Sequence, residues 1–506
     1  MRPPDIACQR SHLDRAGLTA PGASVITRKI SWICGLLGIC LLVSTGCASR
    51  DERVIVDGDP VSVYSDPFTV AGLPVSDGPN GVREGAEEPV LDIDNADSGE
   101  IDTLMAAALL DLESYWKQAF EPAFGEEFKT GLGFVSWDAE APRSAAVNFC
   151  GDSTYGHVNA AFCPPRDQIG WDRGVLMPAL LDEFGPMAPV TVIAHEYGHY
   201  IQMLAGIDDE ASPIVSEQQA DCLAGNFIRW IAEDNGTYLQ INTSDGLNTA
   251  VAALISARDS ERGQSDHGTA FERAHAFETG FGNGPQRCAS IDAISVDDMR
   301  DAMPPRFDNS GSIDTTPFSE GGLKSVISSV EGFFALPPDV RPAVDTDARS
   351  TKCPAIDTVG VEPPVAFCPA TNTVSMDSSE LESIATNGTS GPSGLPSLIS
   401  GDFSAYSLVA SRYSIAAQQA RGQAIDQPVT AARAACATGQ WARSTADAGT
   451  FTLRGGDLDE LVSGLLVSGA VASDVTGRAL PSGFSRIAAF SAGYFNTETG
   501  CSRYDP

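Results

Sequence analysis

Two histidines four residues apart, with a glutamate beside the first, are the part of this sequence best equipped for chemistry: His195-Glu196-Tyr197-Gly198-His199. The run from Val192 to Leu204 lies between Pro189 and Gly206, which is helix punctuation. On a helix such a pair shares one face, so both imidazoles can reach one ion while Glu196 reaches a water beside it. A short motif of this kind recurs by accident. The next apolar-periodic stretch sharpens it with Glu217-Gln218-Gln219-Ala220-Asp221. Glu217 is expected as a third ligand, and Asp221 as acceptor for the other ring N–H of a ligating histidine. Two His, one Glu and an open position for water is the donor set of a catalytic zinc rather than of a closed structural one. The plainer alternative is two buried helices whose histidines only hydrogen-bond. Burying two His, two Glu and an Asp without a cation would be costly.

Around these segments the chain resembles the neutral zinc metallopeptidases of the zincin superfamily. The matching residues are His195-Glu196-Tyr197-Gly198-His199, then Glu217-x-Gln219-Ala220-Asp221-Cys222-x-Ala224-Gly225. Cys150-Gly151, Phe162-Cys163-Pro164 and His267-Gly268-Thr269 with Arg273 also match, so the likeness runs over about residues 100–290. Tyr200 stands where the family usually carries a further histidine, which alters no ligand. The resemblance implies a zincin-like α+β domain with a small sheet over the active-site helix, a Zn²⁺ cofactor and a peptide or protein substrate. It also implies an edge strand that holds the substrate, for which Gln168–Asp172 is the candidate. In that scheme His195, His199 and Glu217 hold the ion, and Glu196 takes a proton from the water and passes it to the leaving amine. His267 has two readings: a structural histidine, or a donor to the oxyanion as the peptide bond is attacked. His157 and His275 read as ordinary.

The chain also repeats itself. Phe271, Phe277, Gly280 and Cys288 recur in order as Phe484, Phe490, Gly493 and Cys501. Upstream, Ala194, Tyr197, Gln202 and Gly206 recur as Ala410, Tyr413, Gln418 and Gly422, and Phe162-Cys163-Pro164 as Phe367-Cys368-Pro369. The expected organisation is a signal or lipoprotein segment (1–47), an acidic tether (48–98), a zincin-like catalytic domain (99–300), a linker (301–316) and a degenerate zincin-like repeat (317–506). In the repeat, His195, Glu196 and His199 become Ser411, Arg412 and Ile415; Glu217 and Asp221 become Ala431 and Ala435; His267 becomes Leu480. No zinc is expected at that position, since an arginine in place of the base cannot assist a metal.

Each copy holds four cysteines: Cys150, Cys163, Cys222 and Cys288, then Cys353, Cys368, Cys436 and Cys501. Four allow three pairings. Local pairs are expected, namely Cys150–Cys163, Cys222–Cys288, Cys353–Cys368 and Cys436–Cys501. A tetrathiolate zinc site is the rival, but the close Cys-x-x-Cys spacing it favours is missing. Disulfides point to an oxidising compartment. Arg28 and Lys29 precede an apolar run, Ile30–Val43, closed by Ser44-Thr45-Gly46-Cys47. That pattern reads as an export signal ending in a bacterial lipobox, with Cys47 acylated; an uncleaved anchor or plain secretion are alternatives. Each places the rest of the chain outside the cytoplasm, held to the cell membrane in the first two cases.

With 32 Lys+Arg against 67 Asp+Glu, the 506-residue chain carries a formal charge of −35. Nucleic acid is excluded as a partner, because its affinity comes from basic side chains on phosphates. The expected function is therefore an extracytoplasmic zinc peptidase. The alternatives are a non-catalytic binding lipoprotein on the same scaffold, or a hydrolase of cell-wall peptides. The sequence leaves the oligomeric state open.

Overall fold

Helix punctuation and small alternating segments yield an α+β chain in which helices dominate. The computed structural model describes residues 53–56, 59–62, 69–207, 211–258, 267–305, 314–354, 356–359, 363–386, 398, 401–446 and 451–505. Contacts divide the chain into units 1–52 and 53–506, and every described residue belongs to the second. The expected signal segment with Cys47 lies outside the described residues. No described helix is long and apolar enough to cross a membrane.

In chain order, β1 (Arg53–Val56) pairs with β2 (Asp59–Ser62), and β3 (Thr69–Val70) with β4 (Leu73–Pro74). Next come β5 (Gly81–Val82), α1 (Glu100–Phe124), β6 (Gly133–Trp137), β7 (Asn148–Phe149), β8 (Asp152–Ser153), β9 (Ala160–Cys163) and β10 (Gln168–Asp172). The first half continues with α2 (Leu176–Phe184), α3 (Met187–Ala205), α4 (Pro213–Ala232), β11 (Leu239–Gln240), α5 (Asp245–Ser256), α6 (Ala270–Gly282), α7 (Pro285–Ala289) and α8 (Ala293–Asp301). The second half runs α9 (Glu320–Phe334), β12 (Ala343–Asp345), β13 (Val365–Cys368), β14 (Thr373–Met376), α10 (Ser378–Thr386), α11 (Asp402–Ala420), α12 (Pro428–Ala446), α13 (Gly455–Val467) and α14 (Gly483–Phe495).

The same succession therefore occurs twice. In each half a central strand lies between a parallel and an antiparallel neighbour: β10 between β6 and β9, β14 between β12 and β13. The four disulfides Cys150–Cys163, Cys222–Cys288, Cys353–Cys368 and Cys436–Cys501 occupy equivalent places. They use all eight cysteines of the two halves, so these eight form no tetrathiolate site, and such bonds persist in oxidising compartments. The tightest helix crossing is repeated as well. A Cβ on Gly280 of α6 would strike the Cys222 carbonyl of α4, and one on Gly493 of α14 would strike the Cys436 carbonyl of α12. Each disulfide thus ties down a crossing that only glycine permits.

Two expectations need correcting. Gln168–Asp172 is not an edge strand: β10 is central, with Ile169, Gly170, Trp171 and Asp172 all buried. A strand covered on both faces loses the alternation that would mark its place in the sheet. The edge is β9. Residues 69–98, read as part of a tether, are instead fastened to the first half. β5 pairs with β11, Asn80 Oδ1 accepts from Asn242 N at 2.8 Å, and Arg83 meets Asp234 at 2.6 Å. The turn-forming residues there make specific side chain to backbone bonds in place of a solvated coil.

The halves meet through α5 and α6 on one side and α13 and α14 on the other. Asp459 Oδ1 on α13 accepts from Ala270 N at the start of α6 (2.8 Å), and Asn248 Oδ1 on α5 accepts from Gly483 N at the start of α14 (2.7 Å). Each half caps a helix of the other at equivalent positions, which is the reciprocity of a two-fold interface. Between the caps, Phe271 packs against Phe490, Tyr494 and Phe495.

Candidate metal centre

α3 ends at Gly206, whose φ of 63° supplies the left-handed turn of a helix C-terminus. Pro213 in the first turn of α4 starts the next helix after Ser212. α4 lies close against α3 because residue 198 is glycine: a Cβ there would sit 3.0 Å from Ala220 Cα and O. That approach brings Glu217 onto the face carrying both histidines. His195 Nε2 and His199 Nε2 are 3.2 Å apart; Glu217 lies 3.1 Å from the first through Oε2 and 3.4 Å from the second through Oε1. Among the described residues, these three form the one group of at least three His, Cys, Asp or Glu side chains placed to hold a metal ion.

The far side of each ring is tied. Arg273 grips Asp221 through Nη2 at 2.7 Å and Nε at 2.9 Å, and Asp221 Oδ1 meets His195 Nδ1 at 2.7 Å. Burial opposes ionisation of Asp221, but Arg273 and His195 outweigh it and hold the carboxyl below its usual range. An ionised carboxylate only accepts, so His195 Nδ1 carries the proton and Nε2 turns a lone pair inward. For His199 the order runs through amides. Gln219 Nε2 donates to Ile291 O, Gln202 Nε2 donates to Gln219 Oε1 and Ser216 O, and Gln202 Oε1 faces His199 Nδ1 at 2.8 Å. The backbone carbonyls can only accept. That sets the direction of the chain and leaves His199 Nε2 as a second inward lone pair.

Three acceptors therefore converge on one spot. Glu217 Oε2 is buried there without a hydrogen-bond partner among the described residues. Burial works against charge on His195, yet Asp221 and Glu217 push its pKa up to about 10, so with no metal bound a second proton sits on Nε2, in the place a cation would take. Burial also opposes Glu217 as a carboxylate, and the two imidazoles overcome that and hold it well below the usual range. The cluster asks for a positive charge at its centre.

Glu196, on the same turn as His195, reaches across to β9, where its Oε2 accepts from Phe162 N at 2.8 Å. Phe162 thus turns its N–H away from β10, and alternation places the peptide groups of Ala160 on that outer edge too. The edge borders a cleft of about 750 Å³ that also contains His195, Glu196, His199, Glu217, His267 and Arg273. All the expected site residues are thereby brought together, His267 included; Asp221 lies behind His195, fully buried. Sequence reasoning missed Gln202, Gln219 and Gly198 as site builders. Gln202 had a signal, because it recurs as Gln418, whose Nε2 meets Thr430 O as Gln202 Nε2 meets Ser216 O.

The second half shows what replaces the cluster. Ser411 Oγ donates to Val471 O at 2.6 Å, and buried Arg412 donates to the carbonyls of Ala470, Ser473 and Asp474. The segment between α13 and α14 lies over these positions. In the first half the corresponding α5–α6 connection carries Arg258 and His267, which line the cleft.

No protein-family description matches the chain, and no solved structure matches it. Uncharacterized proteins of Mycobacterium bovis and of two Mycobacterium tuberculosis strains are each 28% identical over 175 residues. That similarity covers 29% of this chain, which spans 59% of the length of those relatives.

Proposed function

We propose that the first half is a zinc-dependent peptidase working outside the cytoplasm, on a chain held to the membrane by acylated Cys47 or by its signal anchor. The observation that carries this reading is the convergence of His195 Nε2, His199 Nε2 and Glu217 beside Glu196 in an open cleft. Ligands about 2.0–2.1 Å from a tetrahedral zinc lie roughly 3.4 Å from one another. The separations of 3.1 to 3.4 Å fit that set. Zinc bound there would supply a polarised carbonyl and a water acidic enough to lose its proton near neutrality.

The chain's own residues do the rest. Outer-edge peptide groups of β9 pair with an extended substrate and lay its scissile bond across the cleft. Glu196, aligned by Phe162 N–H, takes the proton from the attacking water and returns it to the departing amine. Asp221 and Arg273 keep the His195 tautomer, and the Gln202–Gln219 chain keeps that of His199. His267, within the same cleft, is the candidate donor to the oxyanion.

One observation favours a second reading: the repeat keeps the scaffold while Ser411, Arg412 and Ile415 replace the ligands, so this architecture persists without metal chemistry. A binding lipoprotein follows that line; a hydrolase of cell-wall peptides keeps the metal chemistry and changes only the substrate. Glu196→Gln should retain one zinc per chain and lose cleavage of casein or purified peptidoglycan. Undiminished turnover in that variant overturns the role of Glu196. Failure of the wild-type protein to take up any transition metal overturns the whole reading, and metal without cleavage favours the binding lipoprotein.

A further inference from the structure

The α5–α6 connection gives the cleft Arg258 and His267, and each of its ends is tied. At the α5 end, Arg273 Nη1 donates to Ala257 O at 3.1 Å, from the same guanidinium that grips Asp221. At the α6 end the tie comes from the repeat. His267 is exposed, and Gly268 after it turns with a φ of 90°, where an added Cβ would stand 2.9 Å from Ile214 Cδ1. His267 thus stands one tight turn before α6, and the start of that helix fixes where the turn begins.

A helix leaves its first N–H groups without partners inside the helix. In α6 two of them are met within the turn: Thr269 Oγ1 accepts from Glu272 N at 3.0 Å, and Glu272 Oε2 from Thr269 N at 2.8 Å. Ala270 N–H instead donates across to the second half, to Asp459 Oδ1 at 2.8 Å. Both residues are buried, which keeps water from serving as the acceptor. The repeat supplies a control. Gly483 N at the start of α14 donates to Asn248 Oδ1 of the first half at 2.7 Å, but Leu480 stands there in the place of His267. The two caps are a matched pair, of which one leads to chemistry.

We propose that the degenerate half serves the cleft as its positioning partner: Asp459 fixes the first turn of α6 and, through the Gly268 turn, the place of His267. Asp459 touches no reacting atom and is a positioning residue. The inference rests on the peptidase reading above, with His267 as the donor to the oxyanion. The second copy lost its own ligands and kept the surface that completes its neighbour's site.

Steady-state cleavage of casein and zinc content, measured on the full chain and its variants, test this. Asp459→Ala should lower kcat about 10- to 100-fold with KM and zinc content unchanged, as misplacing a group at the reacting centre does. Asp459→Asn, which keeps an acceptor, should recover most of that loss. Asn248→Ala removes the matching bond from the same interface and should leave kcat within about twofold of the wild type. The double variant His267→Ala, Asp459→Ala should be no slower than His267→Ala alone, because both changes act on one group. Hydrogen exchange in the metal-free chain gives a readout apart from turnover: Asp459→Ala should speed exchange at the start of α6, and Asn248→Ala at the start of α14. Should Asp459→Ala fail to fold, Asp459→Glu, which displaces the oxygen by one methylene, takes its place with the same expected loss. Wild-type kcat in Asp459→Ala, an equal loss in Asn248→Ala, no loss in His267→Ala, or losses that multiply in the double variant overturns this inference alone. A wild-type chain that binds no metal or cleaves nothing overturns the peptidase reading beneath it as well.

Discussion

The pair of Arg273 and Asp221 is the place where stability and metal affinity can be pulled apart. Both side chains are buried, with relative exposures of 2% and 0%, and they share two hydrogen bonds while Asp221 also orients His195. Arg273→Met keeps volume but strands the carboxylate beside an imidazole. Removing one partner of a buried ion pair costs about 3–5 kcal/mol. The double variant Asp221→Leu, Arg273→Met removes both charges, and apolar replacement of a whole buried pair is often close to neutral. It should therefore recover most of the loss, leaving about 1–3 kcal/mol for the His195 Nδ1–H now without an acceptor. Metal affinity should not recover. Losing the group that orients a ligating histidine costs about 10–100-fold, and the double variant should show that full deficit. Chemical denaturation in EDTA reads the stability, and competition with a chromophoric chelator reads the affinity. Additive losses in stability, or wild-type metal affinity in the double variant, would refute the argument that Asp221 acts through His195.

Three further outcomes follow from contacts elsewhere. Gly280→Ala and Gly493→Ala should each destabilise the chain by about 3 kcal/mol through overpacking, less up to about 1 kcal/mol of better helix propensity. Only Gly280→Ala, at the crossing that positions α4 and α6, should also weaken metal retention. Asp459→Ala removes a helix cap provided by the other half and should cost about 1 kcal/mol, whereas Asp459→Asn, matching Asn248, should cost a few tenths; denaturant midpoints distinguish them. Glu460 is pushed up to about 8 by burial and by Asp457, Asp402 and Asp459, against a hydrogen bond from Phe403 N. Its native form therefore holds a proton that the unfolded chain releases near pH 4.5. That stability is fully present below pH 4.5 and lost as pH rises towards 8, on the order of a few kcal/mol. The melting temperature of the wild type should fall across that window, and Glu460→Gln should flatten the fall; parallel slopes would contradict the assignment.

Much of the centre was legible in the linear chain, because helical periodicity is local. A four-residue spacing puts His195 beside His199 whatever the rest of the fold does, and the same spacing pairs Glu217 with Asp221. The cysteine pairs and the repeat were legible too, since one copy serves as the control for the other. The lipid site rests on sequence alone, and the tether was drawn too far along the chain, since β5 pairs with β11 of the first half. The edge strand was misplaced because Gln168–Asp172 and Ala160–Cys163 are both short and apolar, and strand order within a sheet is a non-local property.

By itself, then, the sequence determined which side chains share a helical face, which cysteines have counterparts, and that the second copy lost its ligands. Only the tertiary structure decided that Gly198 lets α4 come close enough for Glu217 to meet both imidazoles, and that Gln219 and Ile291 set the tautomer of His199. Only it joined the halves by reciprocal caps. Local spacing is written into consecutive residues. Contacts between segments far apart in the chain depend on how whole helices cross, and that is settled when the core packs.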